Sequence, residues 1–113
     1  MIKTIKRRNL MKSIMLVCNA GMSTSMLVTK MQKAAQARDL EVSIWAVPVS
    51  EADNEVAANS IDVLLLGPQV KFLLKDFKDK FEPDIKVDAI NMADYGLMNG
   101  KKVLETALAM MEE

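Results

Sequence analysis

Apolar runs and amphipathic stretches alternate along this chain, and each alternation predicts a strand followed by a helix. Ser13–Cys18 (SIMLVC) is a short apolar run, the pattern of a strand buried on both faces. From Ser23 to Arg38, Met26, Leu27, Met31, Ala34 and Ala35 recur at helical spacing, with Lys30, Lys33 and Arg38 off that face. Glu41–Val47 is rich in β-branched residues and predicts a second strand, with Pro48 limiting its end. A short polar helix is expected over Ser50–Asn59, with Ser50 as N-cap and Glu51 in its first turn.

The second half repeats the pattern. Ile61–Leu66 (IDVLLL) predicts a buried strand that Gly67-Pro68 stops, and Pro68 suits the first turn of the next helix. Val70, Leu73, Leu74, Phe77 and Phe81 mark the apolar stripe of that helix, and Pro83 forbids its continuation. Ile85–Ile90 alternates apolar and charged positions, as an edge strand with one wet face would. Asn91–Gly100 is expected to be a long loop, or a loop with one helical turn. Lys101–Met111 closes the chain as an amphipathic helix through Val103, Leu104, Ala107, Leu108 and Met111. Four such alternations define an α/β class: a single domain with a four-stranded parallel sheet flanked by helices on both faces.

Composition narrows the function. The 113 residues suffice for one core, and ten methionines supply bulk where aromatics are only 4%. The net charge of zero conceals an asymmetry: residues 1–12 carry five basic residues and no acid. Residues 13–113 then hold ten basic against fifteen acidic residues, which argues against a nucleic-acid partner. Residues 1–11 are expected to be a flexible basic extension and 12–113 the folded domain. Met11 could begin the natural chain, or the basic arm could touch a membrane or a partner. The apolar run at Ile14–Val17 is too short for a signal-peptide core, and no stretch approaches a membrane span. With one cysteine there is no internal disulfide and no thiol pair for zinc, so a cytoplasmic protein is expected.

That cysteine, Cys18, stands at the carboxyl end of the first predicted strand, where ligands bind in open parallel sheets. Behind it come Asn19, Ala20, Gly21, Met22, Ser23, Thr24 and Ser25. A loop leaving a strand and entering a helix offers several backbone N–H groups to one point, with the helix dipole behind them. Gly21 can take positive φ and let the amides curl into an anion nest, and the hydroxyls add donors. A thiol at the mouth of such a nest ionises more readily than one in water. The alternatives are a buried structural cysteine and other phosphate loops. A dinucleotide fingerprint needs three spaced glycines, and a Walker A loop needs a lysine before its Ser/Thr; neither is present. A response-regulator domain would want acidic residues at strand ends, whereas the third strand ends Leu66-Gly67. A cysteine-phosphatase loop has Cys, five residues, then Arg, and here Thr24 fills the arginine slot. Without that arginine, and with no histidine in the chain, the loop is better suited to carrying a phosphoryl group than to hydrolysing it.

The loop Cys18–Ser25 closely resembles the active loop of enzyme IIB components of the bacterial sugar phosphotransferase system, in the lactose/cellobiose/chitobiose class. Leu65-Leu66-Gly67-Pro68-Gln69, Asp94-Tyr95-Gly96 and Asn99-Gly100 fit the same class, so the resemblance runs from about Lys12 to Met111. It implies that Cys18 takes a phosphoryl group from a phosphohistidine on a IIA protein. It further implies transfer to a sugar in the IIC membrane permease, a β-linked disaccharide such as cellobiose or chitobiose, or lactose. No cofactor and no metal are implied. The amides of residues 19–25 would bind the phosphoryl oxygens, and Gly67, Pro68 and Gln69 would lie beside the loop. Pro68 reads equally as a helix start, and Tyr95 either lines the site or packs the last helix. Met22 is a candidate exposed contact for transient partners, or else a core residue. A phosphatase-like or arsenate-reducing enzyme and a non-catalytic regulatory domain are the competing readings.

Overall fold

Strands β1 (Lys12–Cys18), β2 (Val42–Pro48), β3 (Val63–Leu66) and β4 (Lys86–Ala89) form one all-parallel sheet in the order β2-β1-β3-β4. The computed structural model describes residues 12–19 and 22–112, Met22 and Ser23 through their backbone alone. The basic extension expected over 1–11 lies outside the described residues. Helices α1 (Met22–Ala37), α2 (Ala52–Ala58), α3 (Leu74–Phe81), α4 (Met92–Gly96) and α5 (Gly100–Met111) connect and cover the strands.

Both faces of the sheet are covered because the central strands are apolar throughout 14–18 and 63–66. Ile14 and Leu16 of β1 join Val63 and Leu65 of β3 under α1 and α5, against Leu27, Met31, Val103, Leu104 and Ala107. Met15, Val17, Leu64 and Leu66 point the other way, into a second cluster with Ala52, Val70 and Phe77. Leu64, Leu65 and Leu66 are all buried, and each such side chain contributes about 1.5–3 kcal/mol on burial. The alternation of β1 places Cys18 on the α1/α5 face, in step with Ile14 and Leu16.

The edge strands are less buried, and side chains bond to their backbones. On β4 the N–H groups of Lys86 and Ile90 bond to the β3 side, at Asp62 and Leu66 carbonyls. Val87 N–H instead donates to Glu82 Oε2 at 3.1 Å and Ala89 N–H to Asp88 Oδ1 at 2.8 Å. Carboxylates thereby close two donors that would otherwise invite another strand. At the opposite edge, Gln32 Nε2 donates to the Ile44 carbonyl at 2.9 Å.

Several expectations require correction in detail. Met26 does not share the buried stripe of α1: it is 58% exposed, and Val28 takes its place beside Leu27, Met31 and Ala35. The helix presents its 27/31/35 line to the sheet, which turns position 26 about 100° away. Ser50 is not an N-cap; it lies inside a 3₁₀ turn, Val49–Glu51, that leads into α2 without any side-chain cap. The helix begun by Pro68 is likewise not an α-helix: Pro68–Leu73 makes two 3₁₀ turns separated by a kink at Val70 before α3. For Asn91–Gly100 the structure takes the second of the two expectations, a loop with little more than one helical turn, the five-residue α4.

Candidate active site

The chain leaves β1 for the outer strand β2 and returns to β3 on the other side of β1. The carboxyl ends of β1 and β3 therefore flank the point where the strand order switches, the usual place for chemistry in open parallel sheets. Cys18 ends β1 there, aligned with Pro48 of β2, and its residue surface is 2% exposed. Gly67 follows β3 on the other side. Its N–H donates to the Val17 carbonyl at 2.8 Å, extending the ladder to the residue before the thiol.

Gly67 lies in contact with the end of β1. A Cβ at this position would lie 3.7 Å from Cys18 Cβ, 3.6 Å from the Val17 oxygen and 3.1 Å from Gln69 Oε1. Of the three residues expected beside the cysteine loop, Gly67 is thus placed against Cys18. Gln69 reaches back over Gly67, and Pro68 starts the 3₁₀ segment.

Thr24, in the third position of α1, is 1% exposed. Its hydroxyl lies 3.0 Å from the Tyr95 hydroxyl. Tyr95 also packs against the α1/α5 core cluster, which is the packing role weighed for it. Asn19 and Ser25 are exposed. Ala20 and Gly21 lie outside the described residues, as do the side chains of Met22 and Ser23.

Tyr95 is held from both directions along the chain. Asn91 caps α4: its side chain accepts from Asp94 N–H at 3.1 Å, and its carbonyl accepts from Tyr95 N–H at 2.9 Å. Met98 N–H then bonds to the Tyr95 carbonyl at 3.0 Å. Sequence reading missed Asn91, although an asparagine three residues before an acidic residue at a helix start is a cap signal. Among the described residues no group of three His, Cys, Asp or Glu side chains could hold a metal ion.

The fold is a parallel α/β domain with its single thiol at the strand-order switch, a glycine beside it and the part-buried Thr24–Tyr95 hydroxyl pair at the chain's first helix. Comparison with known proteins gives it a family. The family described as PTS system, Lactose/Cellobiose specific IIB subunit, matches residues 13–106. Over 102 residues the chain is 43% identical to the PTS system oligo-beta-mannoside-specific EIIB component of Bacillus subtilis (strain 168), covering 89% of this chain and 97% of that protein. It is 46% identical over 104 residues to the PTS system cellobiose-specific EIIB component of Lactococcus lactis subsp. lactis (strain IL1403), covering 88% and 96%. The solution structure of the cellobiose-specific phosphotransferase IIB component protein from Borrelia burgdorferi superposes with a TM-score of 0.74. That pair is 39% identical, over 90% of this chain and 93% of that one. A lactose-specific IIB domain from Streptococcus pneumoniae shares the fold at a TM-score of 0.77 and 17% identity, covering 88% of this chain and 96% of that one.

The chain belongs to the lactose/cellobiose-specific IIB family of the phosphotransferase system. As a IIB component it is a phosphotransferase of a sugar-uptake system that works with IIA and IIC partners. Among the described residues no helix is long and apolar enough to cross a membrane.

Proposed function

We propose that Cys18 is the phosphoryl carrier: it accepts the group from a phosphohistidine on a IIA protein and passes it to a sugar held by the IIC permease. In the first step the sulfur, reacting as thiolate, attacks phosphorus; the S–P bond forms and the histidine N–P bond breaks, returning the electron pair to the imidazole. In the second step a sugar hydroxyl oxygen attacks the same phosphorus. The S–P bond breaks, the thiolate is regenerated and the hydroxyl proton is lost to solvent or a base of the permease. The loop of residues 19–25 supplies amide and hydroxyl donors to the phosphoryl oxygens, with no metal or cofactor.

The observation that carries this reading is the position of Cys18 at the strand-order switch, with Gly67 leaving room at its side. Thr24 supports carrying over hydrolysis. Where a phosphatase places a guanidinium to neutralise transition-state charge, this chain has a neutral hydroxyl bonded to Tyr95. The sugar is a β-linked disaccharide such as cellobiose or chitobiose, or lactose, in line with the family description and the cellobiose relative. The protein works in the cytoplasm, meeting the permease transiently.

Purified protein mixed with a phosphohistidyl IIA donor gains one phosphoryl group by mass spectrometry, and Cys18→Ser gains none. An unchanged mass with an active donor, or a label that survives the substitution, contradicts the assignment. The same assay excludes a non-catalytic domain, and sluggish turnover of aryl phosphates separates the carrier from a phosphatase.

A further inference from the structure

Thr24 and Tyr95 are 71 residues apart, yet their hydroxyls meet at 3.0 Å in the first turn of α1, the helix that follows Cys18 in the chain. A hydroxyl has one proton and two acceptor lone pairs, so a bonded pair of hydroxyls keeps one proton in the bond and leaves the other to be directed elsewhere. At 1% exposure Thr24 must find its partners within the protein, because an unpaired buried hydroxyl costs about 1–3 kcal/mol. A phenol is the better donor of the two. When Tyr95 donates, it polarises the Thr24 hydroxyl, and the Thr24 proton becomes available as a strengthened donor to a third group.

The setting of Tyr95 suits it to this work. Its ring packs with the α1/α5 cluster, the face of the sheet on which β1 places Cys18. Its backbone is bonded at N–H by the Asn91 carbonyl and at C=O by Met98 N–H. The hydroxyl is thus delivered to α1 from a segment fixed at both ends. Thr24 itself occupies the position, six residues after Cys18, from which an arginine would clamp the phosphoryl oxygens.

We propose that Tyr95 is a positioning residue of the phosphoryl site, donating to Thr24 Oγ1 so that the Thr24 proton is aimed at an oxygen of the phosphoryl group on Cys18. This rests on the carrier reading of Cys18. The hydroxyl pair takes over part of the arginine's positioning role without its positive charge, holding the group while leaving its transition state less stabilised toward water.

The test uses the full chain with a phosphohistidyl IIA donor, in Tyr95→Phe, Thr24→Val, the double variant and Thr24→Ser. Tyr95→Phe keeps the packed ring and removes only the hydroxyl. It is expected to lower kcat for phosphorylation about tenfold with KM for the donor unchanged, less than the loss of a direct oxyanion donor. The ³¹P resonance of its phosphocysteine moves from the wild-type position. Thr24→Val loses at least as much rate, the double variant loses no more than Thr24→Val, and Thr24→Ser recovers most of the loss by restoring a hydroxyl. A Tyr95→Phe protein with wild-type kcat and an unmoved ³¹P resonance overturns the proposal, as does a loss that multiplies with that of Thr24→Val. Should Thr24→Val not fold, the rate and resonance of Tyr95→Phe against wild type still decide the matter. A wild-type chain that takes no label from an active donor refutes the carrier reading itself, a result distinct from a labelled wild type indifferent to Tyr95.

Discussion

Gly67 and Cys18 stand side by side at the ends of adjacent parallel strands, so close that a Cβ on Gly67 would lie 3.7 Å from Cys18 Cβ. The glycine backbone is extended, with φ −63° and ψ 156°, a conformation open to any residue. A Cβ there would meet Cys18 at ordinary contact distance, so neither a turn nor a clash with the cysteine demands glycine for the fold.

Gly67→Ala should separate folding from chemistry. The tightest new contact, 3.1 Å to Gln69 Oε1, is with the end of a flexible side chain that can move. Stability is expected to stay within about 0.5 kcal/mol of wild type, or to rise by about as much through a stiffer unfolded chain. The methyl group nevertheless sits against Cys18, 3.7 Å from its Cβ, and under the carrier proposal it crowds the phosphoryl group. Phosphorylation should slow about tenfold or more, as small misplacements at a reacting centre do. Thermal melts combined with rapid-quench labelling check both halves.

What the sequence made legible, and what it did not, divides by range. Ser13–Cys18 and Ile61–Leu66 were readable as buried strands because unbroken apolar runs have few other uses in a short chain, and Cys18 followed as a strand-end thiol. Helix type was less legible, since Pro68–Leu73 has the apolar spacing of an α-helix but forms two 3₁₀ turns broken at Val70, where φ is −119° and ψ 21°. Met26 misled because methionine is apolar wherever it sits, and the choice between positions 26 and 28 depends on how α1 rests on the sheet. The pairing of Thr24 with Tyr95 had no local signature at all. Such contacts depend on the strand order, which decides that α4 and α1 share a face.

Asp39→Gly should stabilise the protein. Asp39 closes α1 with φ 59°, and Leu40 N–H reaches back to the Ala35 carbonyl at 2.9 Å, the pattern of a left-handed helix C-cap. Aspartate tolerates that region less well than glycine, and its carboxylate faces the negative end of the helix dipole. Both costs vanish in the variant, for a gain of about 0.5–1 kcal/mol after the greater chain entropy of glycine is set against it. Asp39→Ala removes the charge but keeps the strain, so it should gain less. Urea midpoints at unchanged m-value measure the difference.

Asn99→Ala should cost about 1 kcal/mol, the usual effect of losing a side-chain N-cap. The Asn99 side chain accepts from Lys102 N–H at 3.1 Å, and its carbonyl accepts from Val103 N–H at the same distance. Replacement by serine or aspartate should restore most of the loss, because either can supply the missing acceptor. A denaturation series across these variants tests whether the cap, rather than the side-chain volume, is what matters.

Gly100→Ala is expected to be the most damaging of these changes to the fold. Gly100 opens α5 where it crosses α1, and a Cβ there would lie 2.6 Å from the Lys30 carbonyl carbon and 2.7 Å from Met31 nitrogen. These are backbone atoms in the middle of a helix and cannot rotate aside, so the two helices must separate. Separation opens the packing of Val103, Leu104 and Ala107 against Leu27 and Met31. The cost should be about 1–3 kcal/mol or more, the range for overpacking a close-packed interface. Gly96→Ala is the control, because a Cβ at position 96 meets nothing within 4 Å and should change stability by less than about 1 kcal/mol. Since α1 also carries Thr24, Gly100→Ala should slow phosphorylation even under conditions where it remains folded, whereas Gly96→Ala should not. Equal stability of the two variants would show that the helix crossing does not depend on a bare backbone at position 100.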